Sequence, residues 1–440
     1  MNAFKILGCL FLMTVFSCSP TRKLQKSLPL QIEKSPIFSQ SFTGFALLDP
    51  ENGKFIYEYQ SDKYFTPASN TKIFTLYACL QILEERPAVL RYEESEDSLF
   101  FWGTGNPTLL HPTLEVENPV IDFLGKANKQ LFFSSDNFED KHFGPGWAWD
   151  DYPYYFQPEK SPIPIYGNVI TLERDTIDEG VKIYPDFFES NFTLDQEIPN
   201  GRPIIIREER QNKFSLNKDI YAGDYFRKEI PFIYSDSLLI KILSKEIGKE
   251  VKLLEHEKFD IKRTKIVRGN DIFPVYQKMM IESDNFLAEQ LLLMCADKQL
   301  GVLNSKKIIA YAKDSIFQDL PDELLWRDGS GLSRYNMFTP RTIARLLEKM
   351  QQQLPEEKLL SLFPIGGESG TLENWYGGKS EPYVFAKTGT LTGKHCLSGY
   401  LKTKTGKMLI FSFMHNNYKG NSKPLKEEMQ RILAEIYEQY

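Results

Sequence analysis

The chain has few of the residues that hold metal ions or cross-link small secreted domains. Its 440 residues contain five cysteines and five histidines, and the histidines are scattered singly. Cys79, Cys295 and Cys396 lie far apart and show no Cys-x-x-Cys spacing. Since this pattern supports neither a zinc site nor a disulfide scaffold, we expect no metal and no cofactor.

Positive charge is in slight deficit. The 53 Lys and Arg residues are outnumbered by 59 Asp and Glu residues, which gives a net charge of −6 and a pI near 5.7. Because the sequence has no basic stripe, we do not expect a nucleic-acid partner.

Long apolar runs are missing as well. After Lys5, residues 6–16 are mostly apolar, but this run is too short for a stable membrane span, and residues 1–17 are predicted to be a signal peptide.

The residues that follow suggest a lipid anchor. Residues 15–18 resemble the lipobox of bacterial lipoproteins, in which the cysteine carries the lipid. Cys18 is therefore a candidate lipidation site, and the membrane a candidate partner; the alternative is a cleaved signal with an incidental cysteine. The polar residues 18–40 contain three prolines and little periodicity, so we predict a tether. We expect a lipoprotein exported to the bacterial cell envelope or periplasm.

Residues 66–83 contain the most informative motif. Treated as a helix, they place apolar residues on one side: Ile73, Leu76, Tyr77, Leu80 and Leu83. Ser69 and Lys72 lie one turn earlier on the same side. A lysine on a buried helix face is costly, because loss of water disfavours its charged form. Its neutral amine could accept the hydroxyl proton of Ser69 and make the serine a nucleophile, as in Ser-x-x-Lys acyl-transfer enzymes.

This motif is short and has a second copy. Ser215 and Lys218 have the same spacing, but no helical stripe follows them, and the sequence indicates a surface turn. For Ser69 itself, the alternative is an ordinary helix turn in which the lysine reaches to solvent. Further motifs must therefore decide between catalysis and a structural role.

The two ends of the chain predict one antiparallel sheet and a closing helix. The predicted strands lie at residues 42–48, 54–59, 383–391, 396–402 and 407–414, and an amphipathic helix follows at residues 424–440. Between these ends, residues 92–262 consist of short β-like runs with many prolines and aromatics. We predict an α+β or α/β catalytic domain at residues 41–91 and 263–440, interrupted by a β-rich insertion.

A serine activated in this way needs a second hydroxyl to relay the proton and an amide to hold the substrate. Ser283-Asp284-Asn285 supplies both in a predicted turn between two helices. The same triplet occurs at Ser135-Asp136-Asn137, after a β-like run of the insertion. That copy lies 66 residues after Ser69 (135 − 69), a spacing that would suit a compact β-lactamase. The helix–helix context favours Ser283.

The mechanism also needs a cation and hydroxyl groups on a strand beside the serine. Lys387-Thr388-Gly389-Thr390 supplies them within a predicted strand, where Gly389 would leave room for a ligand to lie along the strand. The other copy, Lys404-Thr405-Gly406, falls between two predicted strands among further lysines. It has the composition of a solvated hairpin turn.

With these three motifs in order, the chain resembles the D-alanyl-D-alanine carboxypeptidase/endopeptidase family of penicillin-binding proteins, of the type with a large insertion between the first and second motifs. Ser69 and Ser283 are 214 residues apart (283 − 69), as that type requires. Three further stretches are similar to the family: residues 103–109, 328–333 and 367–372. The sequence departs from the family at the predicted lipid anchor and at Asn106, where an aspartate is commoner. Neither departure affects the catalytic set.

The resemblance implies a serine transpeptidase/β-lactamase-like domain, with an antiparallel sheet flanked by helices and a helical subdomain. It implies peptidoglycan stem peptides as substrates and β-lactam antibiotics as ligands. Ser69 would attack the carbonyl between two D-alanines, Lys72 would take its proton, and Ser283 would pass a proton to the leaving amine. Asn285 would hold the substrate amide.

The resemblance also gives roles to the strand motif. Lys387 would keep Lys72 neutral by charge repulsion and attract the terminal carboxylate of the substrate, while Thr388 and Thr390 would donate hydrogen bonds. Backbone N–H groups of Ser69 and Thr390 would form the oxyanion hole. Water would then release the acyl-enzyme.

Two other functions share parts of this pattern. A β-lactamase would have the same three motifs, but it needs a base that activates the deacylating water. Glu208 and Asn212 have a suitable spacing for such a base, without a supporting pattern around them. A wall-binding scaffold that has lost catalysis would have no reason to keep a buried lysine behind a serine.

Overall fold

The computed structural model describes residues 20–175, 180–221, 225–254, 260–378 and 381–440. Over these residues the α-helices are α1 (Pro20–Ile32), α2 (Thr71–Ile82), α3 (Pro119–Lys126), α4 (Asp236–Ile247), α5 (Phe273–Ile281), α6 (Asn285–Leu300), α7 (Ser305–Ser315), α8 (Pro340–Gln353), α9 (Glu356–Leu360) and α10 (Lys423–Gln439). The β-strands are β1 (Phe42–Asp49), β2 (Lys54–Tyr59), β3 (Ala88–Glu94), β4 (Ser98–Gly103), β5 (Gln130–Phe133), β6 (Val169–Arg174), β7 (Lys182–Tyr184), β8 (Phe192–Leu194), β9 (Ile205–Arg207), β10 (Phe214–Leu216), β11 (Phe226–Pro231), β12 (Val251–Leu253), β13 (Lys265–Arg268), β14 (Val384–Leu391), β15 (Lys394–Lys402) and β16 (Met408–Asn416).

The central sheet joins the two ends of the chain. Its five strands run in the order β14-β15-β16-β1-β2, and each neighbouring pair is antiparallel. In the β1–β16 pair, Phe45 lies opposite Phe413 and Ala46 lies opposite Ser412. The prediction of one antiparallel sheet in which the chain ends meet is confirmed. Strand β14, which carries Lys387, ends this order on one side.

Both faces of the central sheet are covered, which explains the nearly continuous apolar runs in its strands. Successive residues of a strand point to opposite faces. In β1, Phe45 and Leu47 belong to a core shared with α1 and α10, whereas Ala46 and Leu48 belong to a core shared with α2, α6 and α8. The second core surrounds the helix that follows Ser69.

The insertion between α2 and α5 is rich in short strands, as predicted. Its described residues form a mixed five-stranded sheet in the order β12-β5-β4-β3-β13 and two three-stranded sheets, β11-β6-β7 and β8-β10-β9. Helices α3 and α4 pack with these sheets around a core of their own. The insertion is therefore a separately cored unit beside the central sheet.

The limits of the insertion differ from the predicted residues 92–262. β3 begins at Ala88 and β13 ends at Arg268, and these two strands pair with each other within the insertion's sheet. The predicted limits follow a change of composition along the chain. Such a change cannot show that two strands distant in sequence are neighbours in a sheet.

Buried polar contacts join the insertion to α6. Arg91 on β3 makes a bidentate ion pair with Asp297, at 2.7 and 2.9 Å, and both side chains are buried. Gln290 donates to the Gly105 and Ser161 carbonyls at 2.8 and 2.9 Å and accepts from the Ser161 N–H at 3.1 Å. Because buried charges and amides are costly unless paired, these contacts hold the insertion in one position on α6.

The predicted tether is wrong from residue 20 onward, where the structure has helix α1. Leu24, Leu28 and Ile32 are buried against α10 and the central sheet. These residues are four apart and share one helix face, a spacing that the prolines obscured in the sequence.

Residues 1–19, with the predicted signal peptide and Cys18, lie outside the described residues. None of the helices in the described part of the chain is long and apolar enough to cross a membrane.

Replacing Leu28 by alanine tests whether α1 is a packed part of the domain. Leu28 is fully buried, so we expect Leu28→Ala to lower the free energy of unfolding by about 2–5 kcal/mol. Leu30→Ala is the matched control, because Leu30 is 60% exposed on the same helix, and it should change stability by less than about 0.5 kcal/mol. Denaturant unfolding measures both values. If both variants changed the free energy of unfolding equally and only slightly, residues 20–32 would be a tether and not a packed helix.

Candidate active site

Ser69 lies in a tight turn that leads into α2. The turn is a 3-10 helix at Ala68–Asn70, and Ser69 is its only partly exposed residue. Ala68 has a φ of 48°, a conformation that residues with side chains rarely adopt. Gly331 packs against this turn so closely that a Cβ atom there would lie 2.0 Å from the Ala68 carbonyl oxygen. The serine is therefore presented by a strained and closely packed turn.

Helix α2 is buried on all sides, not along one stripe. All residues from Thr71 to Cys79 are buried, because α6, α8 and the central sheet surround the helix. The prediction of a one-sided stripe is wrong in this respect. The inference drawn from it for Lys72 agrees with the structure, since that side chain is 0% exposed.

The amine of Lys72 is surrounded by three oxygen atoms. Its Nζ atom lies 2.6 Å from Asn285 Oδ1, 2.7 Å from the Ser330 carbonyl oxygen and 3.1 Å from Ser69 Oγ. The first two oxygens can only accept hydrogen bonds. In the neutral amine they would use both N–H groups, which leaves the lone pair for the hydroxyl proton of Ser69. This arrangement suits a general base.

Burial lowers the pKa of Lys72 to about 8, and three carboxylates act in the opposite direction: Asp284, Asp328 and Glu289. Loss of water, more than repulsion from Lys387, is thus the main reason that the neutral amine is accessible. The pKa of Lys387 is lowered well below its ordinary value by burial and then by the charge of Lys72.

Ser283 and Asn285 come together with Lys72 at the start of α6. Ser283 has a φ of 63° in the turn between α5 and α6, and Asp284 caps α6 by accepting from the Leu287 N–H at 2.9 Å. The predicted inter-helix turn is present. The side chain of Asn285 bonds to Lys72 through Oδ1 and donates through Nδ2 to the Phe156 carbonyl at 3.0 Å.

Lys387 reaches the same site from the edge of the central sheet. Its Nζ atom donates to Ser283 Oγ at 2.8 Å and to the Thr388 carbonyl at 3.0 Å, and its side chain is 0% exposed. Thr388 donates to Thr371 Oγ1 at 2.7 Å. The three predicted motifs therefore form one connected set of hydrogen bonds.

Gly389 has a different purpose from the one predicted. A Cβ atom at this position would lie 2.4 Å from the Pro67 carbonyl oxygen and 3.0 Å from the Ser69 backbone nitrogen. The space beside Gly389 is thus occupied by the turn that carries Ser69. Asn70 strengthens this contact, because its Nδ2 donates to the Lys387 carbonyl at 2.8 Å. The glycine allows strand β14 to approach the serine turn.

The repeated motifs lie in other parts of the fold. Ser135 bonds to Asp236 inside the insertion, and Ser215 lies on β10. Lys404 is in the turn between β15 and β16, where it pairs with Glu438 at 2.7 Å. Asn212 bonds to the Ile233 backbone in the insertion. None of these residues lines the cleft that contains Ser69.

Sequence reasoning missed the residues that hold the loop of Ser330, whose carbonyl accepts a hydrogen bond from Lys72. Glu289, one turn along α6 from Asn285, accepts from the Ser330 N–H at 2.8 Å, and burial raises its pKa to about 7. Asp328 accepts from the Gly331 N–H at 2.9 Å and from Trp147 Nε1 at 2.8 Å. The Asp-Gly-Ser-Gly motif gave a signal for Asp328, whereas nothing in the sequence marked Trp147.

The site opens into a cleft of about 810 Å³ between the catalytic domain and the insertion. Ser69, Ser283, Asn285 and Thr390 are among the residues that line it. Charged residues from both units line it as well, among them Asp150, Asp151, Glu229 and Arg334. Across the described residues, no group of three or more His, Cys, Asp or Glu side chains is arranged to hold a metal ion. The volume of the cleft lies in the range of ligand-binding sites.

Replacing Gly389 by alanine tests the contact between β14 and the serine turn. The added methyl group would displace the Ser69 backbone, so we expect acylation of Ser69 by a penicillin to slow by about 100-fold or more while the protein stays folded. Gly125→Ala is the control, since no atom lies within 4 Å of a Cβ atom there. Acylation assays that are quenched at successive times measure the rate for both variants. A Gly389→Ala protein with the wild-type rate would contradict this packing.

Comparisons with known proteins point to one family. The sequence model of the D-Ala-D-Ala carboxypeptidase 3 (S13) family matches residues 24–191 and 267–438. D-alanyl-D-alanine carboxypeptidase DacB of Haemophilus influenzae is 26% identical to this chain, over 90% of this chain and 91% of the relative. The D-alanyl-D-alanine carboxypeptidase of Actinomadura sp. is 24% identical, over 88% and 80%.

The fold is also found among solved structures. Penicillin binding protein 4 from Haemophilus influenzae matches with a TM-score of 0.72 at 22% identity, over 94% of this chain and 99% of that chain. The same Haemophilus protein in complex with a β-lactam matches with a TM-score of 0.66 at 20% identity. This likeness concerns the fold, and it confirms the predicted fold class. The match to the family model over most of the sequence shows that the chain belongs to the D-Ala-D-Ala carboxypeptidase 3 (S13) family.

Proposed function

We propose that this protein is a serine D-alanyl-D-alanine carboxypeptidase or endopeptidase that acts on peptidoglycan stem peptides and is acylated by β-lactams. One observation supports the chemistry most directly. The buried amine of Lys72 has two acceptors, Asn285 Oδ1 and the Ser330 carbonyl, and a hydroxyl, Ser69 Oγ, at 3.1 Å. A serine beside a lysine whose pKa burial lowers to about 8 can be activated as a nucleophile, because a usable fraction of the amine is neutral near physiological pH.

Acylation would start with the proton of Ser69. Lys72 accepts it while Ser69 Oγ forms a bond to the carbonyl carbon between two D-alanines. When the tetrahedral intermediate collapses, the C–N bond breaks and the leaving amine takes a proton through Ser283. The backbone N–H groups of Ser69 and Thr390 would stabilise the negative oxygen. The closeness of Gly389 to the Ser69 nitrogen supports this pairing of strand and turn.

Lys387 would recognise the carboxylate at the end of the substrate. A carboxylate beside its Nζ atom would favour the charged form of Lys387. That charge would in turn favour the neutral amine of Lys72, since each lysine disfavours the charge of the other. Binding of the correct substrate would thereby promote activation of Ser69. Thr388 and Thr390 would donate hydrogen bonds to the same carboxylate.

The alternative function, a β-lactamase, needs a base for deacylation, and the pair of residues with the spacing of such a base is not at the site. Glu208 and Asn212 have the spacing of such a base, but they lie in the insertion and do not line the cleft with Ser69. Without a placed base, the acyl-enzyme formed from a β-lactam should persist, because the opened ring stays attached and hinders water. A peptide substrate loses its leaving D-alanine by diffusion, so its acyl-enzyme can be hydrolysed.

We also propose that the protein is exported and anchored to a membrane through a lipid on Cys18. Helix α1 begins at Pro20, two residues after Cys18. Two residues span at most about 7 Å, so an anchored enzyme would sit close to the membrane surface. A long tether, as expected from the sequence, would have allowed a wider reach.

The experiment that tests the catalytic proposal uses a fluorescent penicillin and a D-Ala-D-Ala peptide. We expect a stable fluorescent band on a denaturing gel, slow turnover of the drug, and release of D-alanine from the peptide. Ser69→Ala should abolish the band, and Lys72→Ala should slow acylation by about 1,000-fold or more. Lys387→Ala should also cripple acylation, whereas its control, Lys404→Ala in the surface turn, should match the wild type.

Three outcomes would contradict this proposal. Rapid hydrolysis of penicillin with no action on D-Ala-D-Ala peptides would identify a β-lactamase. A Lys72→Ala protein that is acylated at the wild-type rate would show that Lys72 is not the base. Loss of activity in Lys404→Ala would mean that the Lys-Thr-Gly motif has been assigned to the wrong copy.

The lipid anchor is tested by replacing Cys18 with serine. The wild-type protein should fractionate with membranes and incorporate a labelled lipid, because an acylated cysteine inserts into the bilayer. Cys18→Ser should lose both properties while keeping its reaction with penicillin. Recovery of the wild-type protein in the soluble envelope fraction would leave the cleaved signal as the explanation.

A further inference from the structure

The insertion contains a second cavity, of about 760 Å³, beside the catalytic cleft. Its walls are residues 152–155, strand β9 and strand β11. Tyr155 and Glu229 line both this cavity and the cleft with Ser69, so the two spaces adjoin. The volume lies in the range of ligand-binding pockets. We call this space the tyrosine pocket.

Aromatic side chains form one wall of the tyrosine pocket. Tyr154 and Tyr155 are 54% and 65% exposed, although large aromatic side chains are usually covered. The ring of Tyr154 is stacked on Phe156 at 5.5 Å with an interplanar angle of 8°. The guanidinium of Arg207 lies 5.2 Å from the ring centre of Tyr152 and donates to the Tyr152 carbonyl at 2.8 Å. The aromatic wall is thus held in place before any ligand binds.

The cationic side chains of the tyrosine pocket already have partners. Arg227 pairs with Glu229 at 3.0 Å and with Glu173 at 3.4 Å. Lys228 donates to the Pro203 carbonyl at 2.7 Å, and burial lowers its pKa. An anionic ligand would have to compete with these contacts. Exposed tyrosine rings together with compensated polar groups suit a neutral ligand that has both apolar faces and hydroxyl or amide groups.

The tyrosine pocket is also linked to the catalytic residues. Asn285 Nδ2 donates to the carbonyl of Phe156, the residue on which Tyr154 stacks. The same Asn285 bonds to Lys72 through Oδ1. A ligand in the tyrosine pocket would therefore be held at a defined distance from the bond cleaved at Ser69.

We propose that the tyrosine pocket binds the glycan chain to which the stem peptide is attached, with N-acetylated amino sugars packed on Tyr154 and Tyr155. Sugar rings have apolar faces and neutral hydroxyl and amide groups, which is the chemistry that these walls offer. A substrate whose peptide lies in the cleft carries its glycan at the other end of the same molecule. This inference rests on the proposed function, since it extends the substrate of the same site.

The test compares one stem peptide in two forms, attached to a short glycan chain and freed from sugar. We expect the wild type to have a lower KM for the glycan-linked form. Tyr154→Ala should raise the KM for that form by about 5- to 10-fold. It should leave the free peptide unchanged, because Tyr154 lines the tyrosine pocket and not the cleft, and Asn285 bonds to the backbone carbonyl of Phe156 and not to Tyr154. Tyr221→Ala is the matched control, since Tyr221 is 53% exposed on the same insertion and outside the pocket.

A second measurement does not depend on catalysis. Peptide-free glycan chains should bind to the Ser69→Ala protein, and the added Tyr154→Ala change should weaken that binding by a similar factor. If no D-alanine were released from any peptide but the glycan still bound, the catalytic proposal would fail and this one would stand. Equal KM values for the two substrates, or an equal loss on both in Tyr154→Ala, would overturn the glycan assignment. The glycan assignment would also be overturned if Tyr154→Ala raised the KM only for a sugar-free, cross-linked peptide dimer.

Discussion

The amine of Lys72 is removed from water and surrounded by protein oxygens, and the other parts of the site are arranged around it. Burying an ammonium group is costly unless it is paired or loses its proton. Here Asn285 Oδ1 and the Ser330 carbonyl accept the N–H groups, and Ser69 Oγ completes the shell. These atoms come from α6, from the loop after residue 328 and from the turn before α2, so the site exists only where those segments meet.

The rest of the fold holds these segments together. Strand β14 can approach the serine turn because residue 389 is a glycine, and Asn70 bonds back to the strand at 2.8 Å. The insertion contacts α6 through the buried Arg91–Asp297 ion pair and through Gln290. The helix that supplies Asn285 is thus also the helix on which the insertion rests. One element therefore positions both the catalytic amide and the far wall of the cleft.

Sequence reasoning identified the three motifs that meet at Lys72 and the central sheet, because both leave local signals. Ser69, Ser283 and Lys387 were separated from their copies by the kind of element around them, and the structure brings these three together. Helix α1 was missed because Pro20 and Pro29 outweighed a sparse spacing of buried residues. The pairing of β3 with β13 and the packing of Gly389 are contacts between distant segments, which no local pattern reveals.

The pH dependence of acylation by a penicillin tests the central claim most directly. Burial lowers the pKa of Lys72 to about 8, and only the neutral amine can accept the proton of Ser69. The acylation rate constant should therefore be small at acidic pH, rise through a single ionisation near pH 8 and reach a plateau above it. A rate that continued to rise toward the ordinary lysine value of about 10.4, or that did not depend on pH between about 6 and 10, would contradict the account.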